Sequence, residues 1–273
     1  MGWLKRVPFT VSHVAAVLPA HRVLSRLHLL SAAVIGSMVP DFGWLVPVYP
    51  GGFRPHTLPG LFTYCLPVGL AAYWLTVKLI KPAMSEIIPD GAYVRMREAD
   101  ASAPPPGVRS WLYTALVIVL AAITHLVWDA FTHENAAGVR MFPVLTDYAP
   151  EWGGHTLQFY SWLQYGSSVF GLAVVIVALV LWLRHVPQSA GRPLRLLGTP
   201  ERRLWASLYI LLPLLCIPIT LWQSRGPAMG SIALSLWLER FAVAGMRASA
   251  VSLLLLSLSL RVRLAHMKPA SHS

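Results

Sequence analysis

Residues Trp111–His133 read WLYTALVIVLAAITHLVWDAFTH. The stretch carries no histidine and no charged side chain until His125, and it is long enough to cross a bilayer, which takes about 20 apolar residues. It ends in His125, Asp129 and His133, spaced i, i+4 and i+8. On a helix these three share one narrow stripe. Ionisable groups are costly at membrane depth, and one found there marks a functional site by default. Two imidazoles and a carboxylate on one stripe are also good metal ligands.

The rest of the chain is built in the same style. Of its 273 residues, 56% are hydrophobic and 12% are charged, against roughly 25% charged in a soluble domain. The expected fold class is all-α, a polytopic transmembrane helical bundle of about six spans. The spans are expected near 28–47, 61–80, 111–131, 161–183, 204–223 and 241–260. The short alternating segments of a membrane β-barrel are absent.

The net charge of +11 does not call for nucleic acid. Lys and Arg concentrate in 1–27, 78–110, 184–203 and 261–273, whereas the opposite loops carry Arg54, Arg140 and Arg225. This asymmetry puts both termini on the cytoplasmic side by the positive-inside rule. No apolar core of a cleaved leader precedes Pro19. Cys65 and Cys216 lie inside apolar runs without CxxC spacing and read as small hydrophobes.

The whole of 1–273 reads as one membrane domain, with the candidate chemistry in 1–160 and no motif in the spans of 161–273. The basic-side connectors 81–110 and 186–203 read as solvated linkers. The opposite connectors 48–60 and 132–160 hold His56, His133, Glu134, Asp147, Glu151 and His155. Long loops of this kind carry function when ordered.

In chain order the candidate metal ligands are His13, Asp41, His56, His125, Asp129, His133 and His155. Mixed imidazole and carboxylate sets suit Zn²⁺ above other ions, although another divalent metal would also accept them. Seven ligands exceed one tetrahedral shell, so two or three ions are expected, with Asp129 able to bridge. A buried His125–Asp129 hydrogen bond is the structural rival, and Asp41 after Pro40 is also ordinary turn chemistry. With both termini on the basic side, His13 falls on the face opposite its partners, unless residues 9–26 form a re-entrant or additional membrane helix. His21, His28, His185, His266 and His272 sit beside basic residues and read as solvated; Tyr160, Trp128 and Trp162 read as interfacial aromatics.

The stretches PFTVSHVAAVLP (8–19), IGSMVPDF (35–42) and RPHTLPG (54–60) resemble the DUF4184 family of bacterial membrane proteins. THLVWDAFTHENAAGVRMFPVL (124–145) is similar to an element of the membrane-bound metal-dependent hydrolases of the YdjM type. The order His, Asp, His, His-x3-Asp, His, His also resembles the ligand order of zinc-dependent phospholipase C and P1-type nucleases. These resemblances imply that His13, Asp41, His56, His125, Asp129, His133 and His155 are the ligands of a phosphoesterase centre.

The function expected from sequence is therefore a metal-dependent hydrolase at the outer face of the bacterial cytoplasmic membrane. Its substrate would be a lipid or lipid-linked phosphate, with Asp41 or Asp129 orienting or deprotonating the attacking water and Arg54 or Arg140 clamping phosphate. A metal or proton transporter using the same residues as a relay, and a noncatalytic membrane scaffold, are the alternatives.

Overall fold

The computed structural model describes residues 10–45, 54–102, 107–148, 158–184, 195–223 and 234–267. The architecture is all-helical, and among the described residues the sole β pairing is an isolated bridge between Tyr148 and Gln158. The helices are α1 (His21–Arg26), α2 (Leu30–Met38), α3 (Leu58–Ile87), α4 (Asp90–Ser102), α5 (Val108–Thr132), α6 (Ala137–Met141), α7 (Phe159–Arg184), α8 (Thr199–Gln223) and α9 (Leu234–His266). Five segments are long and apolar enough to cross a membrane: Leu58–Ile87, Val108–Thr132, Phe159–Arg184, Thr199–Ile219 and Arg240–His266. The chain is a multi-pass membrane protein.

One expected span folds differently. Within 28–47 the α-helix runs only over Leu30–Met38 and tightens into a 3₁₀ segment over Val39–Trp44. Pro40 supplies no N–H to the helix behind it, and its ring disfavours continuation of regular α geometry. The connector 81–110, expected as a solvated linker, is instead helical over Lys81–Ile87 and Asp90–Ser102.

The chain divides into two compact units, one of 1–70 with 106–178 and one of 71–105 with 179–273. In the first, α2 and α5 pack together, joined by the 3₁₀ segment Thr10–Ala16. Val14, Val17, Ala33 and Ala121 form one buried cluster, and Val39, Leu61, Cys65 and Ala122 form another. Helix α5 separates two faces. Leu112, Leu116, Leu120, Ile123, Val127 and Phe131 are exposed, at the i, i+4, i+8, i+11 spacing of a lipid-facing stripe. Thr114, Ile118, Ala121, Ala122 and His125 are buried on the other side.

In the second unit Ala83, Leu197, Leu260 and Leu264 form the core. Arg195 fastens the connector after α7 to the end of α3. Its guanidinium donates to the carbonyls of Ser85, Glu86 and Ile88 and to Asp90 Oδ1 at 2.8–2.9 Å. These are carbonyls that the end of a helix leaves open, so the arginine acts as a C-terminal cap.

The α2–α5 contact is close because of Gly36. A Cβ there would lie 2.5 Å from the Ile118 carbonyl oxygen and 2.8 Å from Ala121 Cβ. Gly166, on α7, has open space at the same position. Gly36→Ala is therefore expected to lose about 1–3 kcal/mol through overpacking. Gly166→Ala should be neutral or gain up to about 1 kcal/mol from helix propensity. Thermal unfolding of the two variants in detergent distinguishes them.

Candidate metal centre

The buried face of α5 carries His125 and, one turn later, Asp129. His125 is fully buried and the Asp129 side chain is 13% exposed. His125 Nδ1 lies 2.8 Å from the Ser37 carbonyl oxygen. A carbonyl only accepts, so Nδ1 carries the proton and Nε2 is the nitrogen left to face a metal. Pro40 accounts for the acceptor being available. In a 3₁₀ turn the donor to the Ser37 carbonyl would be the N–H of residue 40, and proline has none.

Nε2 of His125 looks into a ring of donors. It lies 3.2 Å from Asp129 Oδ2 and 3.7 Å from Asp41 Oδ1. His56 Nε2 closes the ring at 3.2 Å from Asp41 Oδ1 and 3.5 Å from Asp129 Oδ2. Two ligands on a tetrahedral ion with bonds of about 2.0–2.2 Å are separated by about 3.3–3.6 Å. The sides of the ring match that spacing. Among the described residues, His125 Nε2 and Asp129 Oδ1 are buried and make no hydrogen bond, and a bound ion would satisfy both. The donor set fits a divalent cation. His13, Asp41 and His125 form one group whose ligand atoms lie within 4.8 Å of one another, and His56, His125 and Asp129 form a second.

Separate local structures deliver the ligands from outside α5. Asp41 is 6% exposed on the 3₁₀ segment after α2, and Thr10 donates to its Oδ2 at 2.8 Å. That bond turns Oδ1 toward His56 and His125. His56 sits in the tight turn 54–60. There Thr57 donates to the Arg54 carbonyl at 2.7 Å and accepts from the Gly60 N–H at 3.1 Å. A Cβ at Gly60 would fall 2.0 Å from the Arg54 carbonyl oxygen, so only glycine lets this turn close.

His13 joins the cluster. The segment Thr10–Ala16 packs against α2 and α5 and stacks the His13 ring on His125 with centroids 3.7 Å apart. Close approach to α7 is possible at Gly171, where a Cβ would meet the Ser12 carbonyl oxygen at 2.8 Å. His13 Nε2 lies 3.6 Å from Asp129 Oδ1. The sequence leaves either a re-entrant or additional membrane helix over 9–26 or a histidine outside the cluster. Among the described residues the structure has only the short segments Thr10–Ala16, Leu18–Ala20 and His21–Arg26 there, and His13 lies in the cluster all the same. Burial pushes His13 down to about 4. Its imidazole is thus neutral at neutral pH, the form that binds metals.

His133 caps the end of α5, where its N–H donates to the Asp129 carbonyl. Its Nδ1 is 3.5 Å from Asp129 Oδ1 and 3.1 Å from Thr132 Oγ1. The amide of Gln164, buried on α7, lies 3.4 Å from its Nε2. The Gln164 atom in this contact is the amide nitrogen, a donor, so it is His133 Nε2 that accepts. His155 lies outside the described residues. Arg54 and Arg140 are exposed, and Arg140 donates to the Asn135 carbonyl.

Thr10, the Ser37 carbonyl and Gln164 are absent from the sequence reading. Their side-chain types carry no ligand signature, and only the fold shows which imidazole or carboxylate each one holds.

The cluster and the spans define a polytopic membrane protein with a buried His/Asp group able to hold a metal ion. The pattern of the domain of unknown function DUF4184 matches residues 7–258, and the chain belongs to that family. No curated protein and no solved structure matches the chain.

Two substitutions test how the ligands are held. Thr10→Val removes the bond that selects Asp41 Oδ1. Pro40→Ala returns an N–H that competes with His125 for the Ser37 carbonyl. Each is expected to weaken metal affinity about 10–100-fold, the usual effect of losing an outer-shell partner, with little change in helix content by circular dichroism. Metal titration against a competing chelator reads the affinity.

Proposed function

We propose that the protein is a metal-dependent hydrolase, a phosphoesterase acting on a lipid or lipid-linked phosphate at the outer face of the bacterial cytoplasmic membrane. The observation that carries this reading is the ring Asp41–His56–Asp129–His125, with an unsatisfied His125 Nε2 directed into it. Zn²⁺ suits the all-imidazole-and-carboxylate set best. Asp129 Oδ1, with His13 at 3.6 Å and His133 at 3.5 Å, offers a smaller second set. Asp129 would then be shared between two ions.

An ion held by Asp41, His56, His125 and Asp129 would supply Lewis acidity and lower the pKa of water toward neutrality. The chain's own residues do the remaining work. The Ser37 carbonyl fixes the His125 tautomer, and Thr10 fixes the Asp41 carboxylate. Asp41 or Asp129 would orient the attacking water or take its proton. His56, 34% exposed at its side chain, is the ligand on the open side of the ring, where substrate enters. The resemblance to zinc-dependent phospholipase C and to the YdjM-type hydrolases agrees with this chemistry. The outward orientation rests on the concentration of Lys and Arg at the opposite ends of the spans.

A proton or metal relay would need ionisable groups along the depth of several spans. Here the donors come from one end of α5 and from segments too short to span, which favours hydrolysis over transport.

Protein purified without chelators is expected to contain a stoichiometric divalent metal. His125→Ala and Asp129→Ala should lose it together with phosphodiester turnover, whereas His21→Ala should retain both. Metal content by atomic emission, read beside hydrolysis of bis(p-nitrophenyl) phosphate, checks this. Metal content unchanged in both ligand variants would overturn the reading; metal uptake into proteoliposomes without hydrolysis would replace it with transport.

A further inference from the structure

Beyond the end of α5 the chain does not return directly to the membrane. Asn135, in the left-handed conformation at φ 61°, reverses it into α6 and the turn Pro143–Thr146. This short segment is unusually apolar on its outside. Met141 is 72% exposed and Tyr148 is 68% exposed, and Phe142 and Val144 are exposed as well. Its charged side chains are Arg140 and Asp147.

Two contacts fix the segment to the span. A Cβ at Gly138 would lie 2.7 Å from the Ala130 carbonyl oxygen and from the Phe131 ring, so the backbone of α6 lies directly against the last turn of α5. Phe142 packs on Phe131 with ring centroids 6.0 Å apart. Phe131 is the last member of the exposed stripe Leu112–Leu116–Leu120–Ile123–Val127–Phe131. The lipid-facing surface of the span therefore continues without a break onto Phe142 and its neighbours. Aromatic and apolar side chains with few charges, at the end of a span, are the composition of a headgroup-level anchor.

The metal ligands lie at the same level. Asp129 precedes Phe131 by two residues, about 3 Å of helical rise, and His125 lies about 9 Å before it. We infer that Ala137–Tyr148 lies in the headgroup layer of the bilayer as the continuation of the lipid-facing stripe of α5, and that the substrate reaches the His/Asp cluster from the plane of the membrane. The first half stands on the surface alone; the second rests on the hydrolase reading. A substrate arriving this way is an amphiphile whose ester bond lies at headgroup depth.

The test uses the full chain in phospholipid nanodiscs, with Cys65→Ala and Cys216→Ala removing the native thiols. A nitrobenzoxadiazole label is attached at Phe142→Cys, Val144→Cys or, for comparison, Leu116→Cys. Labels at 142 and 144 should be quenched more by lipids carrying a nitroxide high on the acyl chain than by lipids carrying it near the chain end. The label at 116 should show the reverse order. Labels at 142 and 144 that iodide quenches freely and nitroxide lipids do not would overturn the placement, whether water or another protein then covers the segment.

A second arm compares Phe142→Glu/Val144→Glu with the unaltered protein. Bound metal and turnover of water-soluble bis(p-nitrophenyl) phosphate should be unchanged, while hydrolysis of a vesicle-borne phosphodiester falls about tenfold or more as interfacial contact is lost. Equal loss on both substrates, or on neither, would overturn access from the membrane plane. Absence of metal and turnover from the unaltered protein would instead remove the hydrolase reading, leaving the label positions to decide the placement.

Discussion

A histidine and an aspartate one turn apart on the buried face of a membrane-length helix must be satisfied by something, because an unpaired polar group in such surroundings costs several kcal/mol. His125 and Asp129 set that demand, and much of the first unit answers it. The Ser37 carbonyl accepts a hydrogen bond from the His125 Nδ1–H, and His13 stacks on its ring. Asp41 and His56 close the ring of donors around Nε2. The atoms that stay unsatisfied, His125 Nε2 and Asp129 Oδ1, face that ring and its neighbours. A metal ion is the simplest group that satisfies them.

The supporting structure is built from backbone irregularities. Pro40 ends α2 as a regular helix, buries Asp41 on the 3₁₀ segment that follows, and leaves the Ser37 carbonyl without its 3₁₀ donor. Gly60 lets the turn around His56 close, and Gly171 admits the segment bearing His13. Gly36 allows α2 to approach α5 closely enough for the Ser37–His125 bond. Such positions keep ligands within the fractions of an ångström that coordination requires.

Much of this is legible in the amino-acid order. Long apolar runs identify the spans, since a bilayer tests little beyond length and hydropathy. The i, i+4 spacing places His125 and Asp129 on one face with no tertiary information. The 28–47 run misleads because hydropathy registers its apolar side chains and not the effect of Pro40. The basic connector 81–110 misleads for a related reason: its polarity suggests a linker, while Arg195, over a hundred residues away, caps the end of its helix. His13 poses a problem of sidedness in sequence, and the packing of Thr10–Ala16 nonetheless stacks it on His125. Thr10 and Gln164 could not be found, because hydroxyl and amide side chains are common and their partners lie 31 residues away in each case.

The proposed chemistry depends on an ion bound by imidazole and carboxylate groups. X-ray absorption at the metal edge of the purified protein addresses that claim most directly. The prediction is a first shell of nitrogen and oxygen at about 2.0–2.2 Å with the outer scattering of imidazole rings. A protein without metal, or one whose metal has a sulfur shell at about 2.3 Å, would contradict it.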